Sequence, residues 1–277
     1  MTPAEVILSK RLVASGLSSA EAQRVCAALR ERAFFSARVE AARYLRDARK
    51  AIADYLQYAE KEDGTMATRA DAISAIMRRA REEGVATGKG GLTDPGSAAR
   101  AKVVADTNAA MAAGYCQRRA QGTRGARLAF PGLRLVRVED RDKKRDWMSR
   151  WNIARQSLGA ASSATMAASQ GGPFVALKED PIWSEISRFG TPYPPFDFNS
   201  GMGVEEVSFD ECKSLGLVAD DYAPQGDIDD AFNAKVEAEL EFKGDDDPGW
   251  KWLKKSYGDQ ITRDGNRITW SPEDGRP

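Results

Sequence analysis

Apolar residues recur at steps of three and four through Ala41, Leu45, Ala48, Ile52, Tyr55 and Ala59, after a wider gap from Phe34. That spacing is the stripe of one helix face. Ser18 and Glu21 stand at capping-box distance upstream, so the pattern predicts a helical stretch over residues 18–60. A break near Phe34-Phe35 is the alternative to one rod of about 60 Å at 1.5 Å per residue. Arg43, Arg46 and Lys50 keep the same step on another face. Thr68 with Asp71 opens a shorter helix that carries Ile73, Ile76 and Met77 and stops at Gly84. A third helix is predicted from about Ser97 to Arg119. Its middle holds Asp106, Thr107 and Asn108, weak helix formers whose polar ends compete for backbone hydrogen bonds. They serve either to fix a neighbouring segment or to start a fresh cap at a kink.

The period then changes. Leu133 to Val138 alternates apolar and basic residues, as a half-buried strand does. The run EDRDKKRDWMSRW opens a further helix, with Trp147 and Trp151 four apart on one face. Asp180-Pro181 starts a short helix through Trp183. In FGTPYPPFDFNSGMG, residues 189–203, prolines and aromatic rings alternate, so the backbone is extended and its rings must pack on something. Ser208 and Glu211 cap a helix that ends at Gly216, Asp247-Pro248 begins another around Trp250 and Trp252, and QITRDGNRITW reads as a β-hairpin turning at Asp264-Gly265. The expected fold class is α+β: a long helical N-terminal part followed by a small sheet with helices and irregular Pro/aromatic segments. Residues 1–120 form the helical domain, 121–217 a small α+β domain, and 218–277 an acidic C-terminal extension with helices and a terminal hairpin. The Pro-aromatic stretch should cover the sheet, with Trp183, Tyr193, Phe196 and Phe198 largely buried.

Charge changes this picture. The 41 basic and 41 acidic residues cancel, yet residues 1–160 hold 30 basic against 18 acidic side chains and the rest of the chain mirrors that surplus. Residues 91–160 are the most basic, with 14 against 6. Such asymmetry gives either a face that meets phosphate or internal neutralisation. Candidate chemistry is sparse. The chain has no histidine, which excludes Ser-His-Asp and Cys-His catalysis and the HExxH metalloproteases. Cys26, Cys116 and Cys212 lie far apart, as isolated thiols do. The loop over residues 84–96 holds five glycines, but Lys89 precedes Gly90 rather than Ser or Thr, so it departs from the phosphate-binding loop. Asp227, Asp229 and Asp230 lack the glycine and terminal glutamate of a calcium loop. The uncharged run from Gln156 to Leu177 is Ser-, Ala- and Gly-rich, so no membrane association is expected. No basic-then-apolar leader opens the sequence, so secretion is not expected.

In order and spacing, four segments resemble the Mu F-like family of bacteriophage head-morphogenesis (minor head) proteins. They are FFSARVEAARYLRDARKAIADYL, RAKVVADTNAAMAAGY, LRLVRVEDRDKKRDW, and DPIWSEISRFGTPYPPFDFNSGMGVEEVSFDECKSLGL, together spanning roughly residues 25–217. The resemblance implies a non-enzymatic minor head protein that joins the procapsid near the portal and supports head assembly and DNA packaging. Its expected partners are portal and capsid proteins, with DNA as a further one. It implies several copies in the particle, a place in the virion interior or portal region, the host cytoplasm during assembly, and no cofactor. The candidate motif or interaction residues are Asp106, Thr107, Asn108, Arg141, Arg145, Trp147, Trp151, Trp183, Pro194, Pro195, Phe196, Asp197 and Asn199. Many relatives place a histidine where this chain has Trp147, and a Cys-x-Cys where it has Asp197-Phe198-Asn199, so no metal or thiol role carries over. Two other functions stay open: nucleic-acid binding through the basic 91–160 region, and an effector or toxin enzyme placed after Leu217.

Overall fold

Tyr44, Leu45, Ala48 and Ile52 share one buried face of the helix Ala42–Leu56, where the apolar stripe is densest. In the computed structural model, which describes residues 1–141, 144–165, 174–228 and 235–271, this stripe does not extend back to Ser18. The expected long helix is instead a series of short pieces. Phe34 is buried as part of a strand, and Arg38 has a left-handed backbone (φ +58°) that no α-helix accommodates. The Ser18–Glu21 capping box does form, with the Ser18 N–H donating to Glu21 at 2.8 Å, but it opens only a single turn.

The chain divides into two compact units, Met1–Ala112 with Ala231–Pro277, and Ala113–Asp230. These differ from the three-part division read from composition, because the acidic C-terminal part belongs with the N-terminal helices. In chain order the first unit opens with α1 (Pro3–Ser9), β1 (Arg11–Leu12), α2 (Ser19–Ala22), α3 (Ala27–Glu31), β2 (Ala33–Phe34), α4 (Ala42–Leu56) and α5 (Arg69–Glu82). Strands β1 and β2 pair in parallel, and α4 packs on α1 and α5. Helix α6 (Ala98–Gln121) is continuous and contains the division at Ala112.

The second unit continues with α7 (Arg124–Ala129), β3 (Gly132–Arg137), α8 (Trp147–Leu158), β4 (Val175–Leu177), α9 (Ile182–Glu185), β5 (Met202–Val207) and α10 (Phe209–Ser214). Its sheet is antiparallel in the order β4-β3-β5, with Leu133 opposite Ala176 and Leu135 opposite Val204. Strand alternation gives each face its own core. Leu133, Leu135, Ala176 and Met202 pack with Trp147, Trp151, Trp183 and Phe196 on one side. Val175 and Val207 pack with Cys212 of α10 on the other.

The remaining elements, β6 (Val236–Glu239), α11 (Pro248–Tyr257), β7 (Ile261–Asp264) and β8 (Arg267–Trp270), return to the first unit. Strands β7 and β8 form the expected hairpin, its turn moved one residue on to Gly265 and Asn266, while β6 adds an unforeseen third strand beside β8. Trp252, Leu253, Tyr257, Ile261, Ile268 and Trp270 fill a core with Val13, Leu17 and Leu29. The protein is therefore α+β.

Candidate functional site

The second unit holds the most elaborate polar cluster on the expected residues. Asp146 starts α8 by accepting the Ser149 N–H at 2.9 Å, which sets Arg145 just before the helix and Arg150 one turn inside it. Both turn to the buried carboxylate of Asp197. Its Oδ2 accepts from Arg150 at 3.1 Å and from Arg145 Nε at 3.3 Å, and its Oδ1 accepts the Phe198 N–H at 2.8 Å. Arg145 also donates to the carbonyls of Phe198 at 2.6 Å and Asn199 at 3.4 Å. The Arg150 guanidinium lies 5.0 Å from the Trp147 ring centre, a cation–π distance. That carboxylate is fully engaged by donors from within the unit. This cluster fastens the Pro-aromatic stretch to α8.

The rings beneath it form a chain. Trp151 meets Trp183 edge-on at 5.4 Å, and Trp183 stacks on Phe196 at 5.9 Å. The two indoles of this chain each donate to a carbonyl, Trp151 to that of Thr165 and Trp183 to that of Leu177, both at 2.9 Å. Tyr193 is buried as expected, edge-on to Tyr115 at 6.0 Å. Phe198 is only half-buried, against Phe189 at 4.8 Å. That corrects the expectation that it is largely buried, since Phe198 lies where the stretch turns outward to exposed Asn199.

Two glycines allow this packing. A Cβ on Gly114 of α6 would stand 1.9 Å from the Pro194 carbonyl oxygen, a distance no side chain tolerates. Gly201 has φ +65°, and a Cβ there would stand 2.4 Å from the Glu139 oxygen, where its own carbonyl receives the N–H groups of Val138 and Glu139. Arg141 lies against Gly201 and pairs with Glu139. At the opposite end of the sheet, Lys178 is a buried ammonium that donates to the Gln121 carbonyl at 2.9 Å and to Glu206 at 2.6 Å. Burial pushes its pKa down while Glu206 opposes the shift. Arg118 reaches the Lys178 carbonyl at 3.1 Å. Sequence reasoning missed Gly114, Arg150, Lys178 and Glu206, since none stands in a periodic or motif position.

Asp106, Thr107 and Asn108 are not part of this cluster. They lie in the α6 portion of the first unit, where Asp106 takes a two-point bond from Arg69 of α5 at 2.5 and 2.7 Å. Of the two roles left open for them, Asp106 fills that of fixing a neighbouring segment. Asn108 bonds back to Val104 at 2.9 Å within an unbroken helix, so no fresh cap forms.

The glycine-rich 84–96 loop wraps a carboxylate of its own. Buried Asp94 accepts the N–H groups of Thr87 at 2.9 Å, Gly90 at 3.0 Å and Gly96 at 2.9 Å. These bonds hold its carboxyl below the usual range and turn inward the amides a phosphate would need. Asp227 accepts the first N–H of α7 from Arg124 at 2.6 Å; its expected companions Asp229 and Asp230 lie outside the described residues. Cys26 and Cys212 are free thiols, and burial pushes both up. Among the described residues, no group of three His, Cys, Asp or Glu side chains is placed to hold a metal, and no helix is long and apolar enough to cross a membrane.

What fold and cluster define is an α+β protein whose best-built polar site is an internal ion cluster. Compared with known proteins, the chain matches no family model, no curated protein and no solved structure.

Proposed function

We propose that this protein works by binding, as a bacteriophage minor head protein that joins the procapsid near the portal and supports head assembly and DNA packaging. The observation that carries the reading is the joint packing of the segments from Leu133 to Leu217 that resemble the Mu F-like family. They share one unit, with the Asp197 cluster and the Trp151–Trp183–Phe196 chain joining the strand-plus-charge segment to PPFDFNSGM.

Nucleic-acid binding through residues 91–160 has weaker support. Much of that charge faces carboxylates of the same unit: Arg127 faces Glu179, Arg134 faces Glu205 and Glu211, and Arg145 and Arg150 face Asp197. An effector site after Leu217 is weaker still, because residues 236–270 complete the core of the first unit.

Co-expression with the portal and capsid proteins of the same genome, followed by gradient sedimentation, tests the proposal. The chain should travel with procapsids, and with portal rings when capsid protein is omitted. Recovery only as free protein at the top of the gradient would overturn it.

A further inference from the structure

Helices α4 and α5 pack together in the first unit, and α5 pairs three of its four cations, with Arg81 left exposed. On α5, Arg69 is held by Asp106, Arg78 faces Glu82, and Arg79 faces Asp47, Glu82 and Glu83. The outward face of α4 is left unbalanced. Arg43, Arg46 and Lys50 are exposed there at successive turns. Asp47, the acid between them, is drawn across to Arg79 of α5. Arg49 beside them donates to the carbonyls of Leu8 at 3.1 Å and Lys10 at 2.6 Å, and the neighbouring Arg46 charge contributes to a lowered Arg49 pKa, after burial. Lys50 reaches Asp54 at 2.5 Å, but with 71 % of its side chain exposed that pair is worth little in water.

We infer that this face of α4, carrying Arg43, Arg46 and Lys50, is a contact surface for the phosphate backbone of nucleic acid. Three cations on one helix face span about 10 Å along the axis, a length that runs along several backbone charges of a duplex. The face is also charged without an apolar centre: among the described residues no large hydrophobic side chain of α4 is exposed. A protein partner would be expected to find apolar anchors at the middle of its footprint, whereas phosphate binding needs none. The contact is independent of sequence, because nothing in the face is positioned to read bases. It stands apart from the basic 91–160 region, and it holds whether or not the chain is a head protein.

The test uses the full chain and a labelled random-sequence DNA duplex, with anisotropy read across a salt series. Three phosphate contacts give a slope of log affinity on log salt near −2.7, or roughly 40-fold weaker binding from about 50 to about 200 mM salt. The triple variant Arg43→Gln, Arg46→Gln, Lys50→Gln should lose most of that slope, at least tenfold in affinity at the lower salt, and keep the parent melting temperature. The comparison variant Lys102→Gln, Arg119→Gln, Arg137→Gln, three exposed cations of the 91–160 region, should bind like the parent. No binding by the parent, equal binding by the α4 variant, or a loss confined to the comparison variant overturns the assignment. Displacement of the DNA by polyglutamate as readily as by an unlabelled duplex would also overturn it, in favour of an acidic protein partner.

Discussion

Lys10 closes α1 with its side chain buried, and burial pushes its pKa down to about 8 against the opposing pull of Glu31. The unfolded chain regains the ordinary value of 10.5, so between those values the unfolded state binds more protons than the folded one. Stability from this group therefore rises as pH climbs from about 8 to 10.5, and the full penalty of burying the charge is present below pH 8. Lys10→Met should remove that penalty. It should raise unfolding free energy at neutral pH by up to about 3 kcal/mol and flatten the pH dependence in that window. Denaturant melts at pH 7 and pH 10.5 check this; a variant less stable than the parent at pH 7 would mean the ammonium is held by more than it loses.

At the scale of elements, legibility followed how local each signal was. Helices α5 and α11 and the β7–β8 hairpin were readable because cap, apolar stripe and turn sit within a few residues of each other: Thr68 with Asp71, Asp247 before Pro248, Gly265 beside the turn. The span before α4 misled because the Ser18–Glu21 capping box stands upstream of it and the apolar stripe from Ala41 downstream, while Phe34 between them is taken by pairing between β1 and β2, a contact about twenty residues away along the chain. Strand β6 was invisible for the same reason, since Val236 and Ala238 gain meaning only opposite Trp270 and Ile268. The candidate site was half legible. Its rings stood out as a Pro-aromatic run that needed burial, but nothing local linked Asp197 to Arg150. Phe196 tests how far that run is an element in its own right. It is fully buried against Trp183, so Phe196→Ala should cost about 3–5 kcal/mol. A thermal melt with no loss would mean the stretch is held by its polar fasteners alone.

At the scale of the molecule, opposite ends of the chain make one core. The Tyr257 hydroxyl donates to the Leu29 carbonyl, and Arg24 reaches the buried Asp247 carboxylate at 3.3 Å, so the acidic part is tied in by specific bonds as well as by its rings. The charge asymmetry of the sequence is thus partly neutralised within units, here by Arg24 with Asp247 and in the second unit by Arg134 with Glu205 and Glu211. A discontinuous unit has a testable weakness. Trp252, Leu253, Tyr257, Ile261, Ile268 and Trp270 are all buried, and at roughly 1.5–3 kcal/mol for each large side chain their removal reaches the about 5–15 kcal/mol that holds a typical domain folded. Truncation after residue 234 should therefore unfold residues 11–35, read as loss of amide protection in hydrogen exchange. The β4-β3-β5 sheet, with its own core of Trp147, Trp151 and Trp183, should keep its protection and its near-ultraviolet tryptophan signal. Persistent protection at Leu29 in the truncated chain would show that the N-terminal helices fold without their C-terminal partners.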